Sequence, residues 1–165
     1  MDPERVVLIG HSLGAWVALR AAAQSPELLH VAALCPWNAG VHGGQVENSL
    51  HHKQLQRGLA GALDPDSGPL RGADPDWLAT ELEQHAQEYD LVALAALMAG
   101  KSLLLVSSTA DEKLATGRTQ ELAEAYREAG AAVERLIVDD DHALSAHRIW
   151  LARTVIRWLS HVAAD

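Results

Sequence analysis

The sequence predicts an α/β fold, a parallel sheet of about four strands with flanking helices. Three observations carry this. Apolar runs at residues 5–9, 30–35 and 102–107, with a fourth run at 132–138, read as strands. Helical stretches separate them, and that alternation indicates parallel strands covered by helices. The first run also passes directly through Gly10-His11-Ser12-Leu13-Gly14 into an Ala-rich helical stretch.

Composition sets the outer bounds. A chain of 165 residues, 48% hydrophobic and 21% charged, is large enough for one cored domain and excludes global disorder. Thirteen Lys and Arg against 22 Asp and Glu give a net charge of −9, which repels phosphate backbones, so no nucleic-acid partner is expected. The single cysteine, Cys35, excludes an intrachain disulfide framework and fits a reducing compartment. Charges at Asp2, Glu4 and Arg5 stand where a signal peptide needs its apolar stretch, and no uncharged run reaches membrane-spanning length. The expectation is a cytoplasmic protein without a membrane partner.

Arg5-Val6-Val7-Leu8-Ile9 reads as a strand buried on both faces, as parallel sheets require. A helix follows over 15–24, closed by Ser25-Pro26, and a second strand over 30–35 ends at Pro36. Residues 38–76 are rich in glycine and proline, with a weak helix over 48–58 and an irregular excursion over 58–76. Asp76 is expected to cap a helix over 77–98 whose second half, apolar nearly all round, should be buried. The third strand is followed by a helix over 116–129, with Leu122, Ala125, Tyr126 and Ala129 on one face and Gly130 as its stop. After the fourth strand comes the polar loop Asp139-Asp140-Asp141-His142. A last helix spans 145–162, with Ile149, Ala152, Val155, Ile156 and Leu159 as its apolar face. The reading is one domain over 1–165, with residues 39–98 as a cap or lid-like insertion.

The G-x-S-x-G turn carries chemistry. A serine in a sharp strand-to-helix turn is lifted above the carboxyl edge of the sheet, and side chains two residues either side would crowd it, so glycine is expected at both Gly10 and Gly14. The following helix aims its N-terminal N–H groups at the same point. Taken alone, the turn also suits phosphate binding in another α/β fold. A serine nucleophile needs a base and an orienting carboxylate, both in loops on the same rim. The loop after the third strand holds Asp111 and Glu112, and the loop after the fourth holds His142.

These residues give the chain its resemblance. It resembles the C-terminal portion of an α/β-hydrolase, in the style of dienelactone hydrolases and prolyl-oligopeptidase-like members, from the nucleophile elbow onward. The resemblance rests on the elbow at 10–14, the strand leading to Asp111, His142 after the fourth strand, and the closing helix ending Arg157-Trp158-Leu159. It implies a truncated fold lacking the family's N-terminal strands. It also implies Ser12 as nucleophile, Asp111 as orienting acid, His142 as general base and the Leu13 N–H as an oxyanion donor. Ser107-Ser108-Thr109 departs from the glycine the family usually places before its acid. The implied function is a cofactor-free serine hydrolase acting on a small-molecule or peptide ester or amide. The alternative is a weak or inactive portion that associates with itself or a partner chain through an exposed first strand.

Other residues have competing readings. Trp37 and Asn38 follow the second strand on the same rim and, with His11, are candidates to line the substrate site. His42-Gly43-Gly44 resembles an esterase oxyanion motif but lies on the wrong side of the elbow, so a flexible glycine loop is the better reading. No metal is expected: His42, His51, His52 and His85 lack the spacing of a helical zinc motif. The acidic run at 139–141 lacks the ligands of a calcium loop and reads as a turn positioning His142. His147 is a rival base expected to cap or line the pocket. Cys35 reads as an inert core thiol, and Trp16, Trp150 and Trp158 as packing residues.

Overall fold

A computed structural model describes residues 6–47, 50, 52–62, 74–111 and 116–162. Its sheet has four strands, β1 (Val7–His11), β2 (His30–Leu34), β3 (Ser102–Ser108) and β4 (Ala132–Val138), all parallel and in the order β1-β2-β3-β4. Register aligns His11 with Leu34, Leu34 with Val106, and Ser108 with Val138, so every strand ends on one common edge. Arg5, His51, Glu112 and the excursion's residues 63–73 lie outside the described residues.

The chain resolves into two compact units, Met1–Trp37 with Leu94–Asp165, and Asn38–Ala93. In the first, α1 (Leu13–Gln24) packs on β1 and β2, and α6 (Thr116–Glu128) on β3 and β4. Gly130 stops α6 at φ 96°, as its position predicts. Ala32, Leu34, Leu104 and Val106 project from the sheet into a core with Cys35, Leu144 and Trp158, packed by Leu151, Val155, Leu159 and Val162 of α7 (Arg148–Val162). Side chains alternate across a strand, so Val31, Ala33, Leu103 and Leu105, all buried, fill the other face.

Several expectations are corrected here. β1 is not buried on both faces: Ile9 is 52% exposed, because among the described strands β1 has only β2 beside it. The last helix begins at Arg148 rather than 145, since hydrogen bonds to aspartates hold the preceding residues in a loop. Its buried face is Thr154 and Trp158 with Leu151, Val155, Leu159 and Val162. Ile149 and Ile156 are 72% and 62% exposed.

The second unit is helical: α2 (Ala39–Glu47), α3 (His52–Ala62), α4 (Pro75–Gln84) and α5 (Ala86–Tyr89). The glycines of residues 38–47 are not a flexible loop. A Cβ on Gly40 would stand 2.2 Å from the Ala86 carbonyl oxygen, and one on Gly43 would stand 1.9 Å from the Leu82 carbonyl oxygen. They are the points where α2 approaches α4 and α5, a use of glycine that sequence pattern conceals. The cap of α4 is Asp74, whose carboxylate accepts from the Asp76 and Trp77 N–H groups with Pro75 at the first turn, not Asp76. The expected single helix over 77–98 is broken at His85 and at Asp90, and a 3₁₀ stretch, Val92–Met98, ends it. The apolar segment 91–98 is not wholly buried: Leu91 and Met98 are, while Leu97 is exposed. No helix among the described residues is long and apolar enough to cross a membrane.

Candidate active site

Ser12 stands between β1 and α1 with φ 55° and ψ −120°, a left-handed backbone rare for a residue with a side chain. Such a conformation costs on the order of 1–3 kcal/mol and persists only where neighbours hold it. Here the Ser12 N–H donates to the Leu34 carbonyl at 2.9 Å, and the Ser12 carbonyl accepts from the Trp37 N–H at 3.2 Å. Ser12 precedes the first turn of α1, but its hydroxyl makes no capping hydrogen bond. The first N–H groups of a helix have no intrahelical partner, which leaves those of Leu13 and Gly14 as donors at this point.

Glycine is demanded at only one of the two expected positions. A Cβ on Gly10 would meet the Gly14 carbonyl oxygen at 2.2 Å, whereas a Cβ on Gly14 would meet nothing within 4 Å.

His142 and Asp111 come together from the two loops that follow β3 and β4. His142 Nδ1 lies 2.8 Å from Asp111 Oδ2, and the Asp111 side chain is only 2% exposed. With the carboxylate accepting from Nδ1–H, the remaining ring nitrogen is Nε2. His11, the residue before Ser12, donates from Nε2 to the His142 carbonyl at 2.7 Å, and the two rings lie 4.9 Å apart.

The His142 loop is knotted from below by Asp140. One of its carboxylate oxygens accepts from the N–H groups of Asp141 at 2.8 Å and Ala146 at 3.2 Å. The other accepts from the His147 N–H and from His147 Nδ1, each at 3.0 Å. Burial alone would raise the Asp140 carboxyl, but these hydrogen bonds outweigh it and hold the group below the usual carboxylate value. Asp141 repeats the pattern on a smaller scale, accepting from the Ser145 N–H at 3.0 Å. Leu144, at φ 55°, turns its side chain into the core beside Trp158 and anchors the loop.

Ser108 and Thr109, where the family pattern has glycine, tie the two loops together. The Ser108 hydroxyl donates to the Asp140 carbonyl, the Thr109 N–H donates to the Val138 carbonyl at 2.9 Å, and the Thr109 hydroxyl donates to Asp139 at 2.6 Å. Sequence reading missed Ser108 and Thr109 because their partners are backbone groups or distant residues, whereas Asp140 belongs to the acidic run read as a turn positioning His142 and does hold that loop. His147, weighed as a rival base, is engaged by Asp140.

Cys35 lies in the core, as expected, and close to Asp111. It follows β2 at φ 44° and is 1% exposed. Burial, together with the charge of Asp111 and a hydrogen bond to its carboxylate, pushes the thiol up to about 12. The buried acid thus accepts from His142 and stands close to the Cys35 thiol. Trp37 is half-buried beside the elbow, its N–H given to Ser12. Asn38 lies in the helical unit, where its amide donates to Asp90 at 2.7 Å and accepts from the Leu91 N–H at 3.1 Å, so both ends of the amide already have partners.

Comparison with known proteins gives a family and a fold. The sequence matches a family described as the alpha/beta hydrolase family over residues 1–164. No protein of curated function matches it significantly. Among solved structures, acetyl xylan esterase 1 from Thermoanaerobacterium sp. JW/SL YS485 is similar at 17% identity and a TM-score of 0.60, covering 98% of this chain and 47% of its own. An esterase from Pyrococcus furiosus is similar at 20% identity and a TM-score of 0.63, covering 96% and 54%. An enol-lactonase from Burkholderia xenovorans LB400 is similar at 19% identity and a TM-score of 0.57, covering 92% and 64%. The chain thus spans about half the length of the two esterases.

Proposed function

The chain belongs to the alpha/beta hydrolase family, and from that premise we propose that it is a serine hydrolase acting on an ester or amide through an acyl-enzyme. Ser12 Oγ attacks the substrate carbonyl while His142 Nε2 takes the hydroxyl proton. Asp111 fixes the Nδ1–H tautomer and stabilises the imidazolium that forms. The Leu13 N–H donates to the developing oxyanion. His142 then returns the proton to the leaving group, and a water activated by the same nitrogen releases the acid and restores Ser12. No cofactor enters this sequence. His11 and Trp37 are the proposed lining of the substrate site.

The observation that carries this reading is the backbone of Ser12. A strained, left-handed serine whose hydroxyl does no capping, at the N-terminus of a helix, is what an exposed nucleophile requires. The test is labelling with a fluorophosphonate probe and location of the adduct by mass spectrometry. The expected outcome is modification of Ser12 in the wild-type chain and none in Ser12→Ala. A folded wild-type chain that stays unlabelled at Ser12 overturns the proposal.

A second reading concerns association. We propose that β1 pairs with another chain, supported by its edge position and the exposure of Ile9 and Val17. Size-exclusion chromatography should show an assembly that Ile9→Lys weakens. A wild-type monomer at high concentration counts against it.

A further inference from the structure

The carboxyl edge of the sheet brings together three metal-ligating side chains from three separate segments. His11 ends β1, Cys35 follows β2, and His142 follows β4. Each offers one ligand atom, and the three atoms lie within 4.8 Å of one another. We propose that His11, Cys35 and His142 form a binding site for one borderline-soft divalent cation of the Zn²⁺ class, and that occupancy switches the hydrolase off.

The donor set selects the ion. Two imidazole nitrogens and a thiolate suit Zn²⁺, which accepts three protein ligands and a water at its fourth position, and they suit Mg²⁺ or Ca²⁺ poorly. A tetrahedral zinc would hold such atoms about 3.3–3.7 Å apart, given Zn–N near 2.0 Å and Zn–S near 2.3 Å. Closing the cluster therefore takes a shift of about 1 Å. His11 can supply it, being exposed and tied to His142 by one hydrogen bond that its ring can leave.

The surroundings are those of a metal-bound histidine. Metal-ligating histidines give their other ring N–H to a carboxylate, and His142 gives Nδ1–H to buried Asp111, so Nε2 is the nitrogen left to bind the ion. Asp111 also stands behind the thiol. As the S–Zn bond forms, the Cys35 S–H bond breaks and its proton leaves to solvent. The ion's two positive charges are then balanced by the thiolate and the Asp111 carboxylate. This supplies the charge compensation that buried ionised groups require.

The binding itself is independent of the hydrolase reading, whereas the regulatory consequence rests on it. The lone pair of His142 Nε2 that would take the Ser12 proton is the one donated to the metal, so an occupied site has no base.

The experiment titrates the metal-free chain with Zn²⁺ by calorimetry and with Co²⁺ by absorption. Expected are one Zn²⁺ per chain, a sulfur-to-metal charge-transfer band with Co²⁺, and at least tenfold weaker binding in both His11→Ala and Cys35→Ser. His11 is exposed, so His11→Ala tests the site even if the buried cysteine variant folds poorly. Absence of saturable binding, absence of the sulfur band, or equal affinity in wild type and His11→Ala overturns the proposal. Zn²⁺ should also suppress fluorophosphonate labelling of Ser12, and a chelator should restore it. Absent labelling in the metal-free chain defeats the hydrolase reading alone; absent binding with normal labelling defeats the metal site alone.

Discussion

A Cβ on Gly10 would lie 2.2 Å from the carbonyl oxygen of Gly14, closer than any carbon and oxygen can pack. The two glycines of the motif are thus unequal, one fixed by contact and the other open. Gly10→Ala should lose cooperative unfolding or drop below measurable stability. Gly14→Ala, in the first turn of α1, should fold normally and gain up to about 1 kcal/mol from the better helix former. Thermal denaturation of the pair checks this, and equal behaviour would contradict it.

In the proposed mechanism Asp111 acts on chemistry through His142, to which it is hydrogen-bonded. Asp111→Asn keeps the side-chain shape but favours the wrong imidazole tautomer, a change that lowers kcat by about 10⁴ in the Ser-His-Asp template. A loss of that order with KM little changed is expected, read with a chromogenic ester. A loss below tenfold would remove Asp111 from its proposed role.

Leu144 is a fully buried side chain in a loop otherwise held by polar bonds. Leu144→Ala should cost about 2–5 kcal/mol, the range for truncating a buried leucine. Chemical denaturation measures it. A cost under 1 kcal/mol would show that the loop does not depend on this anchor.

Asp140 predicts an acid limit. Its folded carboxyl is held below the ordinary value, so the folded state binds fewer protons than the unfolded one as pH falls. The stability it contributes is present above the unfolded pKa near ~3.9 and is lost as pH drops through the lower folded value. Stability should fall on acidification below about pH 5. Asp140→Asn should be less stable at neutral pH and less sensitive to acid. Parallel pH curves for the two proteins would refute the assignment.

The thiol of Cys35, buried and pushed up to about 12, is the protonated form at neutral pH. Thiolates rather than thiols react with disulfide reagents. The native chain should therefore react only as fast as it unfolds, and denatured chain at once. A rapid native reaction would show that the site opens.

Much of this architecture is legible in the sequence. Residues 102–108 and 30–34 announce themselves because buried strands must be apolar, and the strands fix which loops share an edge, placing Ser12, the Asp111-Glu112 pair and His142 on one rim; the choice of Asp111 rests on the family resemblance. Other features leave no such trace. Gly40 and Gly43 read as loop residues because glycine at a helix contact and glycine in a turn look alike along the chain. Asp140 read as one of three acidic loop residues, although its ligands are N–H groups that every sequence has. Ile149 and Ile156 suggested the core face of α7 because apolar spacing gives a helix's stripes without saying which is covered. The meeting of Cys35 with His11 and His142 depends on register between strands, which composition and spacing do not encode.

The common edge of the sheet has one further consequence. Ser12, Asp111 and His142 all stand beyond the ends of their strands, while the buried interior positions of β2 and β3, such as Val31, Ala32, Leu104 and Leu105, have only to be apolar and to pack. An exchange within β2 or β3 that conserves volume leaves the strand ends where they are, whereas one that lengthens or shortens a strand displaces the loop it carries. The loops take from the sheet the position of its edge more than the identity of the apolar residues behind it.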